Sequence, residues 1–396
     1  MKNNNADYDI AVVGGGMIGS SLALMLAQAG FQMLLIDPTE PLVSIENGKL
    51  PDLRVSAINH ASISLLRCIN VWHRIDDRFI TPYDQLEVWE WPISKLVFNA
   101  SYFNLPELGF MVENWRIRQA LWKGFEDCST LTVCCPSSLV TMIREGNLWR
   151  LMLNDHSSVT SKIVIGADGE NSLVRQKAGI VVNGWEYRQS CLLFTIEMNS
   201  SNKKKNITWQ IFHPSGPRAF LPLYGSWASL VWYDSVANIR KLEALSLSEL
   251  THAVKTAFPT HLGAFSLHKA KSFSLVYRHI NNYVTSGVAL VGDAAHTVNP
   301  LAGQGANLGF LDVKTLAEIL ISALNRGENW DKEMVLKRYQ KKRQCSNFLM
   351  QTGINLLYVM FSNDLLPIVI TRNFGLMLMQ KTNILKRFAV RYMQGL

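Results

Sequence analysis

Asp9-Ile10-Ala11-Val12-Val13-Gly14-Gly15-Gly16-Met17-Ile18-Gly19-Ser20-Ser21-Leu22-Ala23-Leu24-Met25-Leu26 is the stretch that decides the fold. The apolar run before Gly14 reads as a buried strand, and the run after Gly19 reads as a helix packed upon it. The glycines between them occupy the strand, turn and helix context in which a G-x-G-x-x-G spacing acquires physical meaning. Gly14 permits the sharp turn, Gly16 lets the backbone approach a pyrophosphate, and Gly19 lets helix and strand pack closely. The start of that helix offers unbonded N–H groups and a partial positive charge to phosphate oxygens. A second apolar strand, Met33-Leu34-Leu35-Ile36, ends at Asp37, a carboxylate suited to ribose hydroxyls and unsuited to a 2′-phosphate. The plain alternative is an ordinary glycine-rich turn of an α/β protein.

Two further glycine and aspartate clusters lie far along the chain. Ile163-Val164-Ile165-Gly166-Ala167-Asp168-Gly169 is an apolar strand running into a turn, in which Asp168 can bond a ribose or nicotinamide-side group and Gly169 allows backbone approach. Alone it is a weak signal, because Asp-Gly is a common turn dipeptide. Val288-Ala289-Leu290-Val291 runs into Gly292-Asp293-Ala294-Ala295-His296, and the chain continues through Asn299-Pro300-Leu301-Ala302-Gly303-Gln304-Gly305-Ala306-Asn307. There Asp293 can accept from a ribityl hydroxyl, and the small residues let a helix N-terminus abut a flat ring. One extended ligand accounts for all three clusters, and a flavin dinucleotide is such a ligand.

At 396 residues, nearly half of them apolar, the chain predicts two intimately joined domains. Six scattered cysteines, with no CxxC pair and no histidine at metal spacing, point to reduced thiols in a cytosolic protein and to no zinc site. The polar start Met1-Lys2-Asn3-Asn4-Asn5 leads straight to the first strand, so no signal peptide is expected. Charge is uneven: residues 334–396 carry ten basic side chains against the single acid Asp364, leaving the body close to neutral. That tail also holds Phe348, Leu356, Leu357, Phe361, Leu376 and Leu378, and basic with apolar residues on helical periods suggest a surface that meets an anionic bilayer. The alternative is a helical pair whose apolar stripe is core. No apolar run reaches spanning length, and Pro367 breaks the best candidate. Nucleic-acid binding is not indicated, since no aromatic-interleaved basic groove appears.

Residues 52 to about 69 read as helical, 83–103 as aromatic-rich strands, and Trp115 to Glu126 as a helix. Strands follow around 131–133, 148–153 and 162–165, then antiparallel strands across 190–234. The order implies an α/β fold, with a Rossmann-like FAD-binding domain of 1–75, 104–185 and 276–345. It is interrupted by an antiparallel-sheet substrate domain of 76–103 and 186–275, and a basic, apolar helical segment of 346–396 closes the chain.

The three clusters, with Arg54 and Asn114-Trp115-Arg116-Ile117-Arg118-Gln119-Ala120-Leu121, resemble the single-component flavoprotein aromatic hydroxylases typified by para-hydroxybenzoate hydroxylase, over almost the whole chain. Glu87-Val88-Trp89-Glu90-Trp91, Gly216-Pro217-Arg218-Ala219-Phe220-Leu221-Pro222-Leu223 and Trp227 to Ser235 are similar to the ubiquinone-biosynthesis branch. The resemblance implies that Gly14, Gly16, Gly19 and Asp37 hold the ADP half of FAD, with Arg54 and Val55 on the flavin side. Asn114 and Asp293, with Gly292 before it, would reach the ribityl chain, and Asp168 and Gly169 would serve both FAD and the transient reductant. Gly303, Gly305, Ala306 and Asn307 would lie along the pyrimidine edge. Asp37 departs from the glutamate often found there, which shortens its reach.

The implied chemistry is reduction of FAD by NAD(P)H, reaction with O2 to a flavin C4a-hydroperoxide, and hydroxylation of an electron-rich ring, here a polyprenylated benzoquinol, 2-octaprenyl-3-methyl-6-methoxy-1,4-benzoquinol. An octaprenylphenol, an isoprenoid double bond to be reduced, and a non-catalytic scaffold role are the alternatives. His296 is a candidate base and Arg54 a candidate catalytic cation, each with a structural alternative. Phe220, Trp232 and Pro300 are candidates to border the substrate, although strand aromatics are commonly core. Arg218, Tyr224 and Tyr233 could face either way. A long isoprenoid partitions into bilayer, at about 0.8 kcal/mol per buried methylene, so a cytoplasmic protein docked on the inner membrane, alone or with other ubiquinone-biosynthesis proteins, is expected.

Overall fold

The computed structural model describes residues 6–41, 50–199, 206–297 and 303–395. Strand β1 (Tyr8–Val13), helix α1 (Met17–Gln28) and β2 (Met33–Ile36) come first, followed by β3 (Val55–Ile58), α2 (His60–Cys68), β4 (Thr81–Tyr83), β5 (Gln85–Trp89), β6 (Leu96–Asn99) and β7 (Gly109–Glu113). The middle of the chain forms α3 (Asn114–Phe125), β8 (Leu131–Cys134), β9 (Leu139–Glu145), β10 (Leu148–Leu153), β11 (Ser158–Gly166), α4 (Leu173–Lys177) and β12 (Val182–Met198). Next come β13 (Ile207–Ile211), β14 (Arg218–Pro222), β15 (Trp227–Ser235), α5 (Val236–Glu243), α6 (Leu247–Ala257) and β16 (Phe265–Ile280). Short strands β17 (Val284–Thr285), β18 (Val288–Leu290) and β19 (His296–Thr297) precede α7 (Gly305–Asn325), α8 (Glu333–Phe361), α9 (Leu366–Lys381) and α10 (Asn383–Gln394).

The fold is mixed α/β. One sheet runs β17-β18-β11-β1-β2-β8, parallel from β18 to β8, with β10 added antiparallel to β11 and β9 antiparallel to β10. Its central strands read as unbroken apolar runs because helices cover both faces, and Ile10, Val12, Leu35 and Val164 are fully buried. The second sheet, β19-β16-β12-β15-β14-β13-β5-β6, is antiparallel except where β13 meets β5. Period-2 alternation gives it two apolar faces: Leu192, Phe194, Trp209, Phe220, Leu230 and Trp232 pack under α5 and α6, while Tyr187, Cys191, Val231, Tyr233 and Leu275 occupy the other face. A small sheet β3-β7-β4 completes the set.

Residues 52–58, expected as the opening of a helix, are a turn and a strand. β3 pairs with β7 from Val55↔Glu113 to Ile58↔Phe110, and the helix begins only after Asn59, whose side chain caps it by accepting from the Ser62 N–H. In the C-terminal segment the apolar residues divide between core and surface. The stripe Leu336, Tyr339, Arg343, Asn347, Gln351 and Ile354 of α8 is buried, whereas Leu356, Val359, Ile370, Phe374, Leu378, Ile384 and Phe388 are exposed. No helix among the described residues is long and apolar enough to cross a membrane, and Pro367 stands in the first turn of α9.

A buried ion pair fastens these last helices to the second sheet. The Arg372 guanidinium on α9 donates to both carboxylate oxygens of Glu90 and to the Met360 and Asn363 carbonyls, and Asn373 joins Glu90 to Ser94. Glu90→Ala strands a fully enclosed cation, so it is expected to cost about 3–5 kcal/mol and to loosen α9. Limited proteolysis should then cut near residues 362–365 well before the rest of the chain; cleavage as slow as in the parent would refute this anchoring role.

Candidate functional site

The glycine turn after β1 is built by backbone crowding. Gly14 has φ +106°, its N–H donates to the Ile36 carbonyl at 2.8 Å, and a Cβ there would meet the Ala167 carbonyl oxygen at 2.3 Å. A Cβ on Gly19 would lie 1.9 Å from the Gly14 carbonyl oxygen. Gly16 differs, because a Cβ there would have nothing within 4 Å. Helix α1 starts just beyond it with no side-chain cap and no acid in its first turn, leaving its N–H groups open to an anion.

Asp37 is more occupied than its sequence position suggests. Its Oδ2 accepts from the Gly15 N–H at 2.5 Å, and its Oδ1 accepts from the Thr39 N–H and from Arg118 Nη2, each at 2.9 Å. The carboxylate therefore staples the glycine turn to α3, and a ribose hydroxyl would have to share its lone pairs. Arg118 Nε and Trp122 Nε1 donate to the Gly15 carbonyl at 2.7 and 3.1 Å. Neither residue was singled out from sequence, although Asn114, Arg118 and Trp122 stand four apart on one face of α3, a spacing that could have exposed them. A cavity of about 350 Å³ opens here, lined by Gly14, Gly16, Asp37, Ser137, Asp168 and Asn171 among others.

At the end of β11, Asp168 Oδ2 accepts from the Leu173 and Val174 N–H groups at 2.7 and 3.1 Å and so caps α4. Its Oδ1 is buried without a protein partner, an orphaned acceptor that calls for a ligand donor. Gly169 follows at φ +80° with open space where a Cβ would stand. On the other flank, the Asn114 N–H donates to the Arg54 carbonyl at 3.0 Å, and its Oδ1 accepts from Ser56 Oγ at 2.6 Å. Arg54 itself is exposed, its guanidinium 5.1 Å from the centre of the Phe273 ring, and Val55 is half-buried beside it. Asn307 at the start of α7 accepts from the Asn59 N–H at 3.0 Å and donates to the Ala57 carbonyl at 2.8 Å. Gly303, at φ +61°, would bring a Cβ within 3.9 Å of Ala57, while Gly305 and Ala306 begin α7 half-buried. These contacts link the glycine turn, β3, the α3 start and the α7 start into one continuous wall.

Gly292, at φ +58°, packs on Ile18 of α1 and turns Asp293 outward. Asp293 is accessible, yet enough protein surrounds it that desolvation raises its carboxyl above the ordinary value. Behind it sits a buried network that sequence did not reveal. Asp312 Oδ2 accepts from the Gly292 N–H at 3.1 Å and lies 2.5 Å from His296 Nε2, while Oδ1 accepts from Arg343 Nε at 2.8 Å. Burial pushes the Asp312 carboxyl up, but the His296 and Arg343 charges and hydrogen bonds outweigh that and hold it at about 2. His296, expected as a candidate base, is 1% exposed and bound to Asp312. It fixes the loop that carries Asp293 and has no opening to a reacting molecule.

The substrate-side residues require a correction. Phe220 and Trp232 are buried in the cluster under α5 and α6, Phe220 stacked on Trp209 at 5.6 Å, so they turn away from the face that the cofactor segments cover. The opposite face meets those segments: Phe273 lies under Arg54, and Thr195 Oγ1 reaches the Pro51 carbonyl. Tyr233 and Cys191 belong to it, and burial pushes the Tyr233 hydroxyl well up and the Cys191 thiol to about 12, so neither is a base at neutral pH. Arg218 faces the α5–α6 side, donating to Asp234 and lying over the Trp232 ring. Tyr224 stacks edge-on with Phe79 near Arg116. Pro300 lies outside the described residues.

The family described as FAD binding domain matches residues 7–347. The chain is 47% identical over 392 residues to the 3-demethoxyubiquinol 3-hydroxylase of Escherichia coli K12, covering 99% of this chain and 100% of that protein. It is 32% identical to ubiquinone hydroxylase UbiL of Rhodospirillum rubrum, covering 98% and 89%. In fold it is similar to p-nitrophenol 4-monooxygenase from Pseudomonas putida, with TM-score 0.81, 16% identity and 98% coverage of both chains.

Proposed function

The chain belongs to the FAD-binding flavoprotein monooxygenases of ubiquinone biosynthesis, and from that premise we propose that its substrate is the quinol 2-octaprenyl-3-methyl-6-methoxy-1,4-benzoquinol, hydroxylated on the ring. The reaction consumes NAD(P)H and O2, and bound FAD supplies the oxygen-transfer chemistry. The observation that carries the reading is the continuous wall of the glycine turn, β3, the α3 start and the α7 start, with an uncapped helix N-terminus and the orphaned Asp168 oxygen at the glycine-turn end.

On this reading Gly14, Gly16 and Gly19 shape the pyrophosphate seat, and Asp37 with Arg118 sets the adenosine end. Asn114 and Asp293 hold the ribityl hydroxyls, Arg54 and Val55 border the ring, and Gly303 to Asn307 line its polar edge. Asp168 and Gly169 face the cofactor and the reductant. Tyr233, Leu221 and Phe273, in place of Phe220 and Trp232, form the apolar wall of the substrate space and exclude water from it. Segments 1–75, 104–185 and 276–345 act as the cofactor domain, 76–103 and 186–275 as the substrate domain.

The polyprenyl tail calls for a bilayer. We infer that residues 346–396 dock the enzyme peripherally on the cytoplasmic face of the inner membrane, where other proteins of the pathway assemble with it. The support is the exposed apolar side chains of α8 to α10 together with the exposed cations Lys381, Arg387 and Arg391. A sibling reading, hydroxylation of an octaprenylphenol, shares every cofactor contact and differs only in ring chemistry.

The test uses purified holoenzyme with isotopically labelled dioxygen and each candidate substrate in detergent. The quinol should gain one labelled oxygen with stoichiometric NAD(P)H oxidation, and the phenol should not. Labelling of the phenol alone would hand the function to the sibling reading.

A further inference from the structure

Helix α10 carries three cations that no carboxylate neutralises among the described residues. Lys386 is 4% exposed, its stem buried and its ammonium 5.5 Å from the centre of the Tyr102 ring. Arg387 and Arg391 are exposed and line a cavity of about 330 Å³ between α10 and residues 102–105, which also presents Tyr102, Asn104 and Gln394. Arg387 and Arg391 bring two positive groups to one concavity whose lining holds no carboxylate, with Lys386 beside them on the same helix, and like charges gathered without a counter-ion raise each other's energy, so the concavity suits an anion. Each guanidinium fork can grip an oxyanion with paired N–H donors, and a phosphate has oxygens enough to take both forks at once.

The surroundings indicate which phosphate. Ile384 and Arg387, Ile384 and Phe388, Arg387 and Arg391 stand three or four apart on α10 and so share a helical face. Ile384 is 79% exposed and Phe388 72%, and Leu385 beside them is 47% exposed. A free phosphate would gain nothing from an apolar rim. A phospholipid would, because its acyl chains lie beside its headgroup at the same interface. The position also suits the enzyme: the Met393 carbonyl of α10 accepts from Asn59 Nδ2 at 2.9 Å, and the Asn59 N–H donates to Asn307 at the proposed polar edge of the ring.

We propose that the cavity between residues 102–105 and α10 seats the phosphate of an anionic phospholipid, gripped by Arg387 and Arg391, so that docking selects lipid charge and orients the cofactor edge relative to the bilayer. The proposal rests on the peripheral docking inferred above and adds a ligand and a site to it. Neutral bilayers offer the same apolar interior but no anionic headgroup for the seat.

The experiment is flotation of full-length holoenzyme with vesicles of phosphatidylcholine alone or mixed with phosphatidylglycerol. The parent should bind the mixed vesicles much more tightly. Arg387→Ala/Arg391→Ala should lose that preference by about tenfold to thirtyfold while keeping its weak binding to phosphatidylcholine. Arg387→Lys/Arg391→Lys should recover part of it, and Arg240→Ala/Lys241→Ala, an equal loss of exposed charge on α5, should bind as the parent does. Equal retention of the preference by the Arg387/Arg391 alanine variant overturns the seat while leaving docking intact. Release from mixed vesicles by inorganic phosphate at constant ionic strength would assign the cavity to a free anion and overturn the lipid source. Failure of the parent to float with either vesicle would remove the docking reading itself.

Discussion

Asp312→Ala is expected to lower the unfolding free energy by about 3–5 kcal/mol and to weaken flavin retention at temperatures where the variant is still folded. Asp312 is fully buried and accepts from Gly292, His296, Arg343 and Asn347, so its removal leaves the 7%-exposed Arg343 without its counter-ion and the Gly292 turn without its latch. The midpoint of urea unfolding should fall at unchanged slope. Flavin loss follows by a separate route, since the turn at Gly292 aims Asp293. A variant as stable as the parent would show that the network is not a stability element. One that is destabilised yet binds FAD normally would show that Asp293 needs no such support.

The same carboxyl sets an acid limit. It titrates at about 2 when folded against an ordinary 3.8, so the stability it adds is complete above about pH 4 and is lost as pH falls towards 2. In Asp312→Ala that acid-dependent loss should be smaller, a difference readable in the pH profile of urea midpoints.

What the sequence disclosed was what local chemistry dictates. Gly14, Gly16 and Gly19 were legible because a strand, a turn and a helix within twenty residues leave few alternatives. Asp37 was found, but its partner was not, because Arg118 comes from a helix 81 positions away. Nothing local marks Asp312 as the acceptor for Arg343, 31 positions on. The run 52–58 is short enough for strand and helix periods to coincide, and only its pairing with β7 decides between them. Alternation told which residues of β14 and β15 share a face. It did not tell which face meets the segments of the first sheet, and so left Phe220 and Trp232 as substrate candidates with core as the alternative, which is where they lie. The capping box of Ser246 with Glu249 was an available sign of the helix that covers them.

The glycines of the first turn divide into two kinds, and alanine at each should show it. Gly19→Ala forces a Cβ to within 1.9 Å of a backbone oxygen, with Ala167 Cβ at 2.9 Å on the other side, so helix α1 must move off β1. The expected cost is at least about 3 kcal/mol, seen as low soluble yield and a colourless protein. Gly16→Ala meets no protein atom within 4 Å, and its φ of −72° suits any residue. Apoprotein stability should therefore change by less than about 1 kcal/mol. Its new methyl would instead project into space that, on the proposed reading, the pyrophosphate occupies, and FAD affinity should fall at least about tenfold, a loss of about 1.4 kcal/mol. Fluorescence titration of apoprotein with FAD measures this directly. Parent-like affinity in Gly16→Ala would mean that the ligand does not approach this backbone, and the assignment of the glycine turn to the pyrophosphate would fail even though the fold around it stands.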